Sequence, residues 1–180
     1  MKKFIIIFSF LTTISCSRKE VHIQEIPFFY DNSNAQPNLV SYNGSLSLSW
    51  ISSKEENRAS LNYSQYKEGR WIKPQVITSG SDWFVNWADF PAHAINQDLI
   101  ITSHLKKSAS GTYTYDVVLN LQKLSGEKIR ENFLLNTDGV KAEHGFVSIM
   151  ANNEKGIKIE TIVGTIIWDS EIIINKLKML

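Results

Sequence analysis

The chain has 180 residues and a formal net charge of +1, from 19 basic against 18 acidic side chains. That even balance removes any electrostatic case for nucleic acid as a partner, and a single domain is the expectation at this length. Hydrophobic residues make up 43% and aromatic residues 11%, with Trp at 5 positions, while long Ala-, Glu- and Lys-rich stretches are missing, so the composition points to an all-β core.

Met1-Lys2-Lys3 is a short basic start, and Phe4 to Ile14 is an apolar run broken by Ser9, Thr12 and Thr13. A run of about eleven residues falls short of the roughly twenty that span a bilayer as a helix, and it fits the apolar part of a secretory signal. The run ends in Thr13-Ile14-Ser15-Cys16, which resembles a bacterial lipobox, where a signal peptidase cuts before the Cys and the new terminus carries a lipid. Thr13 stands where a lipobox usually has Leu. The expectation is a lipoprotein signal peptide over 1–15, a lipidated Cys16 with a polar tether over 16–26, and the folded domain over 27–180. Such a protein is exported and held to a membrane through Cys16, in the periplasm or at the cell surface. The alternative is an ordinary cleaved signal. Cys16 is the single cysteine, so an internal disulfide is impossible.

Beyond the tether, alternation with period two dominates, which is the strand signature. Asn43-Gly44 is a hairpin turn, and Ser45 to Trp50 continues from it with alternating apolar positions. Arg58 to Tyr66 alternates again, Lys67-Glu68-Gly69-Arg70 is a turn, Trp71 re-enters the core, and Pro74 limits the next segment to an edge or loop. Asp98 to Leu105 and Thr112 to Leu121 are two more strands, joined by a turn over Ser108 to Gly111. The pieces recur: Asn43-Gly44-Ser45-Leu46 is echoed by Asn96-Gln97-Asp98-Leu99 and by Asn153-Glu154-Lys155-Gly156. A turn and strand returning every 50 to 60 residues or so is what propeller blades produce, and a β-sandwich with hairpins of similar length is the competing reading.

Three stretches carry a resemblance: Ser81-Asp82-Trp83-Phe84-Val85-Asn86-Trp87-Ala88-Asp89-Phe90-Pro91, Gly111-Thr112-Tyr113-Thr114-Tyr115-Asp116-Val117, and Glu143-His144-Gly145-Phe146-Val147-Ser148. In order and spacing they resemble exported bacterial sialidase-like (BNR-type) β-propeller proteins, over about Gly44 to Ser148. The resemblance implies a ring of about six blades, of which this length supplies about three. Where the family has an Asp-box turn, this chain has Leu121 to Ile129 without its Asp or Trp. Residues 157–180 form an Ile- and Lys-rich tail unlike the family's continuation. The tail reads as a truncation or frameshift, or as the terminal strand of a naturally short relative. A second copy or another chain would complete the propeller.

The resemblance implies glycan chemistry. Sialidases hold the sugar carboxylate with arginines and attack through a Tyr paired with a Glu, an exception to the usual pair of carboxylates. Past the tether the chain has only Arg58, Arg70 and Arg130, scattered over hairpins and turns. Asp89, Asp116, Glu143 and His144 are the candidate catalytic residues. Glu143 and His144 are adjacent, so a bend at Gly145 is needed to bring both to one rim; the other reading is a structural turn. Trp83, Asn86, Trp87, His104, Tyr113 and Tyr115 are the candidate ligand-binding residues, with Tyr113 and Tyr115 on one strand face. Trp83, Phe84 and Trp87 form an aromatic cluster that either stacks on sugar or fills a core. His93, His104 and His144 lack metal-ligand spacing, so no metal and no cofactor are expected. Hydrolysis of a glycan, non-catalytic glycan binding or scaffolding, and an inactive fragment are the three functional expectations.

Overall fold

The computed structural model describes residues 20–29, 31–152, 156–163 and 166–169. The signal segment, Cys16, residues Asn153 to Lys155 of the third sequence echo and the end of the tail lie outside the described residues.

Among the described residues the chain forms three antiparallel sheets and no helix. The first contains β1 (Asn34–Tyr42), β2 (Ser45–Glu55), β3 (Arg58–Lys67), β4 (Arg70–Trp71) and β5 (Gln75–Gly80), with β4 and β5 both pairing β3. The second runs in chain order through β6 (His93–Asn96), β7 (Leu99–Lys107), β8 (Tyr115–Lys123) and β9 (Lys128–Leu134). The third is β10 (Gly145–Asn152), β11 (Gly156–Val163) and β12 (Ile166–Asp169). Strand β6 lies beside both β1 and β10, so the opening strands of the three sheets are neighbours.

Local chemistry explains the turns. Asn43 and Gly44 both take positive φ, 47° and 74°, the primed geometry whose twist matches the strands it joins. Gln97, φ 58°, turns β6 into β7 at the corresponding point of the second sheet. The first two sequence echoes therefore mark the same hairpin in successive sheets. Pro74 precedes β5 and does not prevent it: the ladder to β3 begins at Gln75, beyond the missing N–H.

Strands β6 to β8 of the second sheet are buried on both faces. Neighbouring residues Ile100 and Ile101 point in opposite directions, as strand geometry requires. Ile100 joins Ile51, Leu61, Tyr63 and Ile77 of the first sheet, and Ile101 joins Val117, Leu119, Ile149 and Ile159 in a core shared with the third. A polar contact also ties the first two sheets. His93 of β6 bonds Ser47 Oγ through Nε2 and Ser49 Oγ through Nδ1, each at 2.9 Å. The serines are two apart on β2 and so share a face. Burial lowers the His93 pKa to about 4, so the ring bridges them as a neutral donor and acceptor.

Candidate functional site

Two short backbone bridges assemble the site. The first joins Trp83 to Lys106, with Phe84 N–H donating to Leu105 O at 3.0 Å and Lys107 N–H to Asp82 O at 2.7 Å. It pins residues 82–84 to the end of β7. The second is a parallel bridge between Tyr115 and Glu143, in which Tyr115 N–H donates to Ala142 O and His144 N–H to Tyr115 O, both at 3.2 Å. It lays residues 142–144 along the start of β8.

In this register adjacent side chains alternate on both segments. Glu143 meets Tyr115 and His144 meets Asp116. The expectation that a bend at Gly145 brings Glu143 and His144 to one rim is corrected here: extended backbone separates them, and two groupings result.

The first grouping is Tyr115, Glu143 and Asp89. Tyr115 Oη donates to Glu143 Oε1 at 2.6 Å. Phe84 stacks on the Tyr115 ring at 4.3 Å between centroids with planes 17° apart. Asp89 Oδ2 accepts a hydrogen bond from Phe146 N–H at 2.7 Å. Gly145 makes that contact possible, because a Cβ there would collide with Asp89 Oδ2. Burial raises the Asp89 pKa, the Phe146 bond opposes this, and the Glu143 charge adds to the rise. Burial, and then the hydrogen bond and charge of Glu143, push the Tyr115 hydroxyl up as well. The result is an acid held towards its neutral form beside a phenol whose proton already points at a carboxylate.

The second grouping is Asp116, His144 and Asp138. His144 is 0% exposed. Its Nδ1 lies 3.1 Å from Tyr115 O and 3.3 Å from Asp116 Oδ1, and its Nε2 lies 3.1 Å from Asp138 Oδ2. Asn136 Nδ2 donates to Asp116 Oδ1 at 3.0 Å, and Lys141 Nζ reaches Asp116 Oδ2 at 3.9 Å. The Asp138 pKa is lowered by the bond from Val140 N–H and then by His144. Asp138 and Asn136 were not legible as site residues: Asp138-Gly139 reads simply as a turn pair, and only the folded loop shows what they touch.

The remaining candidates disperse. Trp83 stacks on buried His104 at 4.1 Å, and burial lowers the His104 pKa to about 4. Asn86 Oδ1 accepts from Ala88 N–H and Asp89 N–H, each at 2.8 Å, so it holds the loop that presents Asp89. Trp87 is 90% exposed and Tyr113 64%. The aromatic run therefore forms no cluster: Trp83 covers His104, Phe84 covers Tyr115, and Trp87 projects outward. Tyr113 precedes β8, and only Tyr115 lies on the strand. Arg58 bonds Ser79 Oγ at 3.0 Å and Arg130 sits 4.7 Å over the Phe133 ring. The groups whose charge acts on Tyr115 and Asp89 are the Glu143 and Asp89 carboxylates and, for Tyr115, the Tyr113 phenol, with no arginine among them. Arg58 instead lines a polar cleft of about 190 Å³ with Ser53, Gly80, Ser81, Trp83 and Val85, away from Tyr115 and Glu143. Among the described residues no group of three or more His, Cys, Asp or Glu is placed to hold a metal ion, and no helix is long and apolar enough to cross a membrane.

No family model, curated protein or solved structure matches the chain.

Proposed function

We propose that the chain is an exported, lipid-anchored glycan-processing protein of the sialidase-like propeller type, with Tyr115, Glu143 and Asp89 as the reacting groups of a retaining glycoside hydrolase. The observation that carries this reading is the Tyr115 Oη–Glu143 Oε1 hydrogen bond of 2.6 Å beside a second, buried carboxyl group. The order of the three meanders, with their first strands adjacent, supports successive blades.

The chemistry comes from the groups themselves. Glu143 takes the phenolic proton as Tyr115 Oη attacks the anomeric carbon, and protonated Asp89 gives its proton to the departing oxygen. Asp89, now ionised, takes a proton from the water that attacks the anomeric carbon, the Tyr115–sugar bond breaks, and Glu143 returns its proton to Tyr115 Oη, restoring the enzyme and releasing the sugar. With the Glu143 carboxylate and no arginine acting on the reacting groups, an anionic sugar is disfavoured, so the substrate class is a neutral glycoside rather than a sialoside.

The test is turnover of a panel of neutral aryl glycosides and aryl sialosides by the full chain. The neutral glycosides should release their aglycone, and Tyr115→Phe and Glu143→Gln should each reduce the rate about 10²-fold or more. Unchanged turnover in either variant would sink the assignment. A second reading, non-catalytic glycan binding, is favoured by one observation: Tyr115 is only 1% exposed, whereas Trp87 and Tyr113 project outward. Saturable binding without product, abolished by Trp87→Ala, would establish that reading instead.

A further inference from the structure

His144 has no place in the chemistry above, yet it is enclosed by partners. Both ring nitrogens face only acceptors, Tyr115 O and the Asp116 carboxylate on one side and the Asp138 carboxylate on the other. An imidazole serves both sides only when it carries two protons. Its backbone is also half of the bridge that aligns Glu143 with Tyr115.

We propose that His144, clamped between Asp116 and Asp138, is the positioning residue of the Tyr115–Glu143 pair. The clamp fastens residues 138–144 to the start of β8 from the face opposite the pair, so the bridge register is held by a doubly donating ring. The charged groups facing the ring are Asp116 from β8 and Asp138 from the loop, with Lys141 bearing on Asp116. The proposal rests on the reading of Tyr115 and Glu143 as the reacting pair only for its catalytic consequence; the alignment itself can be observed without turnover.

The experiment uses the full chain with ¹³Cζ-labelled tyrosine, the Tyr115 signal being assigned with Tyr115→Phe. Wild type and variants are compared at one pH. In His144→Gln the Tyr115 signal should shift and the Tyr115 amide should exchange about tenfold faster or more, a loss of roughly 1.4 kcal/mol of local protection. Asp138→Asn touches only the outer nitrogen and is the variant to use if His144→Gln does not fold. It should shift the Tyr115 signal in the same direction and speed the amide exchange by a smaller factor, because only one side of the clamp is weakened. If a neutral glycoside is turned over, His144→Gln should lower kcat about tenfold with KM within about twofold. A Tyr115 signal and amide exchange rate unchanged in His144→Gln, or a signal unchanged in Asp138→Asn, would overturn the proposal. Absence of turnover in the wild type would instead refute only the hydrolase reading, and the tyrosine signal would still decide the positioning role.

Discussion

Gly145 shows how little room the first grouping leaves. Its missing Cβ is the space in which the Asp89 carboxylate reaches Phe146 N–H, and a methyl there would also press on Tyr115 Cε2 at 3.4 Å. Gly145→Ala should therefore expel Asp89 from its bond and cost about 1–3 kcal/mol, read by denaturant unfolding. Asp89 itself gives an opposite result. Its folded pKa is raised above 3.8, so its stabilising contribution is complete at pH below that value and is lost as pH rises through the folded pKa. Asp89→Asn keeps an oxygen for Phe146 and removes the ionisation. It should melt higher than the wild type at neutral pH, with the gap closing in acid, while any glycoside turnover disappears. A variant that melts lower at neutral pH would contradict the raised pKa. These residues were singled out one by one on the stretches that carry the family resemblance, Asp89, Asp116, Glu143 and His144 as catalytic candidates and Tyr115 as a ligand-binding one. Their division into two groupings was not readable, because it depends on a parallel bridge between residues 28 apart.

At the scale of the element, the tie between β2 and β6 makes stability depend on pH. Burial holds both His93 and His104 down to about 4, from 6.5. The unfolded chain takes up a proton on each ring below 6.5 while the folded chain resists until about 4. Stability is thus complete above pH 6.5, falls through that window, and levels off below it. At about 1.36 kcal/mol per pKa unit, each ring accounts for about 3 kcal/mol. Urea unfolding at pH 7 and at about pH 4 should show the loss. His93→Gln should roughly halve it, at a cost of about 1–2 kcal/mol at neutral pH from the weakened serine contacts. A pH-independent midpoint would mean that the rings are reached by water. Hairpins such as Asn43-Gly44 were legible because their chemistry is local. Pro74 limited the segment after it to an edge or loop, and the ladder to β3 decides between them: β5 is a strand with β3 as its partner.

For the whole molecule, the second sheet is the shared element, carrying one core on each face. Leu61→Ala and Leu119→Ala each remove a fully buried side chain and should each cost about 2–5 kcal/mol. Their reach should differ. In hydrogen exchange, Leu61→Ala should loosen chiefly the first sheet, and Leu119→Ala the second and third. Uniform loss of protection in both variants would mean that the three sheets unfold as one unit. Alternation and composition made the all-β class legible, whereas the face-to-face stacking was not, since a strand buried on both sides, as β8 is over all but its last residue, has no polar face to orient it. The last strand of that sheet has a different burden. Strand β9 exposes nearly every side chain and, among the described residues, pairs on one side only, with β8, so its other side is a template on which another molecule can add a strand. Lys128 paired with Glu131, Arg130 over Phe133, and Asn132 bent to φ 49° interrupt that template with charge and curvature. Their consequence is colloidal: with Lys128, Arg130 and Glu131 all replaced by Thr, a chain with nearly the same fold should come out of solution as fibres.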